Sequence, residues 1–91
     1  MSSKEKIQEQ VDVAEKEANL HEIVLHNDDV NTFDFVIDAL IRVCEHTTLQ
    51  AEQCTLLVHY KGKASVKTGA YKALKTPCSK LLELGLSAEI V

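Results

Sequence analysis

The chain has 91 residues, enough for one small domain, and its 45% hydrophobic and 26% charged content predicts that it folds. A formal net charge of -4 argues against nucleic acid as a partner, because binding phosphates requires a basic surface. There is no apolar run of about 18 residues or more, and charged residues follow Met1, so we expect neither a membrane span nor a signal peptide. These features predict a cytoplasmic protein.

Residues 1–20 are predicted to form a flexible N-terminal extension, and residues 21–91 the folded domain. Acids outnumber lysines in the extension, and Ile7, Val11 and Ala14 can form one face of a short helix on contact with a partner. An inert, solvated terminus explains the same composition equally well.

The first strand and the first helix are predicted from residues 23–44. Ile23–Leu25 is rich in β-branched residues and predicts a strand. Asn31 is the predicted N-cap of the helix, and Asp34 favours the helix start electrostatically. The buried stripe of this helix is predicted from apolar residues at helical spacing: Phe33, Val36, Ile37, Leu40, Ile41 and Cys44.

The second helix is predicted from a capping pattern, in which Thr47 or Thr48 precedes Gln50, and Gly62 is its expected C-terminal stop. Lys63–Val66 predicts the second strand. The inner face of the helix is assigned to a stripe of larger residues: Leu49, Gln53, Leu56, Leu57 and Tyr60.

The third helical pattern contains Pro77, which removes a backbone hydrogen bond inside a helix. We therefore expect a restart, with Thr76 as N-cap and Pro77 at the first helical position. Gly85 ends the helix, and Ala88–Val91 predicts a last strand. The order β-α-α-β-α-β predicts an α+β sandwich in which three helices pack on one face of a small antiparallel sheet.

Polar residues at the first strand-to-helix corner are the main candidates for function. The triplet Asn27-Asp28-Asp29 lies between strand one and helix one, where acidic and amide side chains are well placed to hold a cationic group. This favours capture of an amine over bond-breaking chemistry. Turn formation is the commoner use of such residues, and a histidine such as His59, taken alone, is more often structural.

Three segments together resemble the ClpS family, whose members deliver N-degron substrates to a Clp ATPase and its peptidase. They are Leu25–Asp29, Phe35–Leu40 and Leu57–Ala64. The resemblance runs from Glu22 to the C-terminus. It implies a non-enzymatic adaptor without a cofactor, whose partners are a Clp-type AAA+ ATPase, which engages the N-terminal tail, and the N-degron peptide or protein.

The resemblance also implies which residues bind the substrate. Asn27, Asp28 and His59 would hold the free α-amino group of a peptide whose first residue is bulky and apolar, and Asp29 would support the turn. One carboxylate, one amide oxygen and one neutral imidazole nitrogen can satisfy the three donors and the positive charge of an α-ammonium. The walls of the hydrophobic pocket correspond to Asn31, Phe33, Val36, Thr55, Val58 and Ala88.

The chain departs from the family at some of these positions. The family usually has Thr at 31, a gating Met at 33, a larger apolar residue at 55 and often Leu near 88, so the amine clamp carries over while the side-chain preference does not. On the third helix, Lys72 and Pro77 stand about where the family usually has an acid and a lysine for docking the ATPase.

Two alternatives stay open from the sequence. His26, Asp28, Asp29 and His59 are ligands that suit zinc, although their spacing matches no known metal motif. A module that kept the ClpS fold can instead dock a ring ATPase or a ribosome-associated partner without binding N-degrons.

The sequence lacks the common catalytic motifs, so we expect that the protein is not an enzyme. Its three cysteines have no Cys-X-X-Cys spacing, which predicts reduced thiols.

Overall fold

The computed structural model of the protein describes residues 20–91. Strands and helices follow one another in the predicted order, β-α-α-β-α-β, which confirms the fold class. Apart from Leu20, the predicted N-terminal extension lies outside the described residues. The elements are β1 (Leu20–His26), α1 (Phe33–Cys44), α2 (Thr48–Lys61), β2 (Lys63–Ala70), α3 (Tyr71–Glu83) and β3 (Ser87–Ile90).

The three strands form one antiparallel sheet in the order β2-β1-β3. The central strand places Leu25 opposite Ala64 on one side and opposite Ala88 on the other. Ile23 and Leu25 are fully buried, so alternate residues of β1 face the helices and form the centre of the core. The helices contribute most of the rest of that core, mainly Val36, Ala39, Leu40, Ala51, Val58, Leu74 and Leu81.

Helix α1 begins one residue later than predicted. Its N-cap is Thr32, whose hydroxyl accepts a hydrogen bond from the backbone N–H of Phe35 at 3.1 Å. The prediction of Asn31 as the N-cap is wrong, because the amide of Asn31 instead donates to the carboxylate of Asp28. Two adjacent residues can each cap a helix, and a contact outside the helix decides between them.

Helix α2 begins and ends as predicted. Thr47 and Gln50 form a capping box, in which each side chain accepts a hydrogen bond from the other residue's backbone N–H, at 3.1 and 3.0 Å. Gly62 ends the helix in the left-handed conformation, with φ of 89°. The end of α2 is therefore fixed by local sequence.

The predicted inner face of α2 is wrong. The buried residues of this helix are Ala51, Thr55 and Val58. The larger residues Leu49, Leu56, Leu57 and Tyr60 are exposed, as is Gln53. The helix has two faces with helical spacing, and the one with smaller side chains is packed against the rest of the domain.

Helix α3 runs through Pro77 without a restart, so the predicted break at Thr76 is also wrong. Proline supplies no N–H for the carbonyl of Ala73 one turn earlier. Leu74, Cys78 and Leu81 are buried on both sides of the proline, and this packing holds the helix together.

Among residues 20–91, no helix is long and apolar enough to cross a bilayer.

Candidate functional site

The turn after β1 is fastened to the end of α2. The backbone N–H of Asn27 donates to the carbonyl of Gly62 at 2.9 Å. Gly62 is the C-cap of α2, and His59 lies in the last turn of that helix. This bond therefore brings the Asn27-Asp28-Asp29 triplet and His59 to the same end of the molecule.

Nine of the ten predicted site residues line a single cavity of about 290 Å³ at this end. The exception is Ala88, which is buried in β3 opposite Leu25 and does not line the cavity. A wider groove of about 610 Å³ lies between α2 and β2, but none of the predicted site residues line it. The lining of the smaller cavity consists of Asn27, Asp28, Asp29, Asn31, Phe33, Val36, Thr55, Val58 and His59.

The carboxylate of Asp28 organises the turn. Its Oδ1 accepts from the backbone N–H groups of Val30, at 2.9 Å, and Asn31, at 2.8 Å, and its Oδ2 accepts from Asn31 Nδ2 at 2.9 Å. The bonds from the backbone and side chain of Asn31 are the main reason that the pKa of Asp28 is lowered. Asp28 is thus ionised at neutral pH, and because a carboxylate has about four acceptor positions, one is left over.

Asn31 braces the turn from the other side. Its Nδ2 also donates to the carbonyl of Gly85 at 3.0 Å, which joins the turn to the loop that precedes β3. Sequence reasoning placed Asn31 at the N-cap of the helix and in the pocket wall, and missed this bracing role. The Asp-X-X-Asn spacing is a local signal for the bond between Asp28 and Asn31, since such side chains often bond within a turn.

Aromatic rings surround His59 at the mouth of the cavity. Phe33 meets His59 edge to face, with ring centroids 5.8 Å apart and an interplanar angle of 76°. Tyr60 makes a similar contact with His59 at 5.1 Å and 79°. These contacts hold the imidazole in place beside the opening.

The buried walls of the cavity are Val36, Thr55 and Val58. The hydroxyl of Thr55 donates to the carbonyl of Ala51 at 2.7 Å, within its own helix. Because this hydrogen bond uses the donor of the hydroxyl, the floor of the cavity is less polar than a threonine suggests.

The geometry gives no support to a metal site. His26 Nε2 contacts Glu89 Oε1 at 2.8 Å across β1 and β3, and His26 does not line the cavity. In the described part of the chain, no three His, Cys, Asp or Glu side chains are arranged to hold a metal ion.

Burial raises the pKa of the Cys44 thiol to about 11 and also raises the pKa of Cys54 and Cys78, so these thiols are protonated at neutral pH.

The fold is that of a small α+β domain, and its cavity sets the carboxylate of Asp28 beside apolar walls. A family model described as "ATP-dependent Clp protease adaptor protein ClpS" matches residues 16–89. The chain belongs to the ClpS family of adaptors, which are not enzymes. This confirms the resemblance recognised in the sequence.

Individual relatives agree with this assignment. The chain is 30% identical over 89 residues to the Clp protease adapter ClpS of Acetivibrio thermocellus, which covers 98% of this chain and 90% of that protein. It is 36% identical over 59 residues to ClpS of Shewanella halifaxensis, covering 65% of this chain and 58% of that protein. The structure of Agrobacterium tumefaciens ClpS2 bound to L-phenylalaninamide matches with a TM-score of 0.76 and 22% identity, over 80% of this chain and 95% of that chain. At this identity, the match supports the fold.

Proposed function

We infer that the protein binds peptides and proteins with a free, bulky hydrophobic N-terminal residue and delivers them to a Clp-type AAA+ ATPase for degradation. One observation carries this proposal. The ionised carboxylate of Asp28 and the imidazole of His59 line the same cavity as the buried side chains of Val36 and Val58. Such a cavity suits a ligand that carries a charged amine and an apolar side chain on the same carbon atom.

The polar side of the cavity suits an α-ammonium. The acceptor position left on Asp28, the amide oxygen of Asn27 and a ring nitrogen of His59 offer three acceptors for its three N–H donors. Charge-assisted hydrogen bonds of this kind are stronger than neutral ones. Acetylation removes the charge and two donors, so an acetylated N-terminus would cover these acceptors while leaving some of them unpaired, and it is rejected.

The apolar side of the cavity suits a single side chain. The whole cavity has a volume of about 290 Å³, at the lower end of the usual range for ligand pockets, so it accommodates one residue better than a longer segment. Agrobacterium tumefaciens ClpS2 was solved bound to L-phenylalaninamide, which combines a free α-amino group with an aromatic side chain. The same pair of features is what we propose for the ligand of this chain.

The proposed contact with the ATPase involves a basic surface. Between Glu52 and Glu83 the chain contains six lysines and no acid. Lys72, Lys75 and Lys80 are exposed on α3. We therefore expect the ATPase surface that meets this helix to be acidic, because complementary charge favours encounter and suppresses wrong partners.

An interaction module that does not bind N-degrons is the second candidate. Asp28 already accepts three hydrogen bonds from its own turn, as it would in a purely structural corner. If that is its only role, the carboxylate contributes to stability and not to ligand binding.

Titration of short peptides separates the two functions. Peptides that begin with Leu or Phe, each with a free or an acetylated N-terminus, are titrated against the wild type, Asp28→Asn and Asp28→Ala. Asparagine keeps an acceptor for the turn but removes the charge, so Asp28→Asn should weaken binding by about 1.5–3 kcal/mol, the usual range for a hydrogen bond to a charged group.

Asp29→Asn is the matched control for that experiment, since Asp29 also lines the cavity and carries the same charge. We expect it to weaken binding by less than about 1 kcal/mol, as a neighbouring exposed charge does. Equal affinity for free and acetylated peptides would contradict N-degron binding and favour the interaction module.

A further inference from the structure

The groove of about 610 Å³ between α2 and β2 lies along an open edge of the sheet. Among residues 20–91, β2 pairs only with β1 and is therefore an outer strand. Two side chains that line the groove reach the backbone of β2. The ring of His46 donates from Nε2 to the carbonyl of Val66, and Cys54 Sγ lies 3.9 Å from the carbonyl oxygen of Ser65. The free edge of β2 thus faces the groove.

Thr68 offers a backbone N–H and a backbone C=O at this edge. Its neighbour across the sheet is Glu22, whose N–H donates to the carbonyl of Val91 at 3.1 Å and whose carbonyl accepts from the N–H of Val91 at 2.9 Å. Backbone groups in an antiparallel sheet point to one neighbouring strand at a time, so those of Glu22 point away from β2 and those of Thr68 point away from β1. Thr68 is exposed and lines the groove. An edge of this kind is a template for one more strand.

We propose that residues 8–19 of this chain form that additional strand, with Val11 and Val13 in the groove. These residues precede the described part of the chain. Val11 and Val13 are β-branched and lie on either side of Asp12, an alternation typical of a strand with one apolar face. Leu49 lines the groove and is 65% exposed, so it is the apolar side chain that the valines would cover.

The start of β1 brings this segment close to the groove. Leu20 lies opposite Ala70, two residues beyond Thr68 on β2. A strand added to the free edge of β2 lies about 10 Å from β1, which is two strand spacings. Residues 14–19 can span about 20 Å when extended, at about 3.3 Å per residue, and so reach this position. Because the segment is tethered, its effective concentration at the edge is on the order of millimolar, and a weak contact suffices.

The charges favour the same occupant. Residues 8–19 contain four acids and one lysine, which gives them a net charge of -3. β2 contains Lys63 and Lys67 and no acid, and Lys72 is exposed on the first turn of α3, next to the end of β2. The lining of the groove has one charge of each sign, on Lys67 and Glu45. Lysines on an edge strand repel the same strand of a second copy but attract an acidic segment.

Amide hydrogen exchange of the full chain, followed by NMR, tests the proposal. An added strand covers the N–H of Thr68, so the double variant Asp12→Pro, Val13→Pro should speed the exchange of Thr68 by about fivefold or more, since proline cannot donate to a strand ladder. Ser2→Pro with Ser3→Pro is the matched control, because it adds two adjacent prolines outside residues 8–19 and should leave the rate unchanged. The N–H of Gly69, which alternates with Thr68 and points to β1, is the internal reference and should exchange equally in all three proteins.

Unchanged chemical shifts of the buried residues Ile23 and Leu40 check that each variant keeps its fold. Equal exchange of Thr68 in the wild type and in Asp12→Pro, Val13→Pro overturns the proposal and leaves residues 8–19 to a different partner. Protection of Thr68 that increases with protein concentration also overturns it, because the segment at the edge would then belong to a second copy. All measurements are made without a peptide, so their outcome is independent of N-degron binding.

Discussion

The rings of Phe33 and His59 meet edge to face across the mouth of the cavity, with centroids 5.8 Å apart. Phe33 is the first residue of α1, and His59 lies in the last turn of α2, so this contact joins the start of one helix to the end of the other. We expect the ring of Phe33 both to narrow the entrance of the cavity and to orient the imidazole of His59.

Removing this ring should change which first residue is preferred. Phe33→Ala opens the entrance, so the affinity for peptides that begin with Trp should rise by at least about threefold relative to those that begin with Leu, while the lost ring contact weakens both by about 0.5–1.5 kcal/mol. Phe35→Ala is the matched control, since both phenylalanines are 39% exposed and Phe35 does not line the cavity. Calorimetric titration measures the ratio of the affinities for the Trp and Leu peptides in each variant. An identical ratio in Phe33→Ala and Phe35→Ala would contradict the idea that Phe33 narrows the entrance.

Removing the ring of His59 should weaken peptide binding. His59→Ala deletes one of the three acceptors proposed for the α-ammonium, so binding should weaken by about 0.5–1.5 kcal/mol, the usual net contribution of one hydrogen bond. His26→Ala is the matched control, because His26 does not line the cavity and its replacement should leave the affinity unchanged. Calorimetric titration of a peptide with a free N-terminus compares the two variants, and equal affinities would contradict a role for His59 in binding the amine.

Replacing the side chain of Asn31 should destabilise the turn and raise the pKa of Asp28 toward its ordinary value. Asn31→Ala removes the hydrogen bonds to Asp28 Oδ2 and to the Gly85 carbonyl, at an expected cost of about 1–2 kcal/mol in the free energy of unfolding. Urea unfolding at neutral pH and an NMR titration of Asp28 measure the two effects.

The lowered pKa of Asp28 also predicts how the free energy of unfolding depends on pH. The pKa of Asp28 is lower in the folded protein than in the unfolded chain, so its contribution to stability is present above about pH 4 and is lost as the pH falls through the folded value. In Asn31→Ala this acid-induced loss should shrink. An unchanged pKa of Asp28 would show that the Asn31 side chain does not hold the carboxylate.

The size of residue 55 should set the depth of the cavity. Thr55→Met adds volume to a buried wall and should reduce the affinity for peptides that begin with Trp or Phe more than for those that begin with Leu. Thr55→Val is the control with nearly the same shape. Since the hydroxyl is bonded within α2, Thr55→Val should change peptide affinity by less than about 0.5 kcal/mol. A large effect of valine would place the hydroxyl in contact with the ligand.

Pro77 should limit the stability of α3. Pro77→Ala restores an N–H donor for the carbonyl of Ala73 and removes the ring from the helix interior, which should raise the free energy of unfolding by about 1–3 kcal/mol. Ser79→Ala, an exposed change on the same helix, should have an effect of about 0.5 kcal/mol or less. Urea unfolding compares the two, and a destabilised Pro77→Ala would mean that the packing of the ring outweighs the missing hydrogen bond.

Local sequence predicted the features that depend on neighbouring residues. The capping box of Thr47 and Gln50 and the left-handed Gly62 are both encoded within a few residues of the position they control. The nine residues that line the cavity could be selected from the sequence because the resemblance of three segments to the ClpS family pointed to these positions.

Contacts between distant elements could not be predicted in this way. Helical spacing located the stripe of Leu49, Leu56 and Tyr60 but could not show that the opposite, smaller face of α2 is the buried one. The continuous helix through Pro77 depends on packing at Leu74 and Leu81. The brace from Asn31 to Gly85 joins residues 54 positions apart, and no local pattern indicates it.

The bond from Asn27 to Gly62 makes the alignment of the two halves of the cavity depend on a glycine that does not line it. A methyl group at position 62 would meet no atom within 4 Å, so the site has room for alanine, but its φ of 89° is one that only glycine adopts without strain. An alanine there would strain the backbone without a steric clash. The spacing between the Asn27-Asp28-Asp29 triplet and the imidazole of His59 would then be less well fixed. The protein would discriminate less between peptides with a free and an acetylated N-terminus, although none of the side chains that line the cavity would have changed.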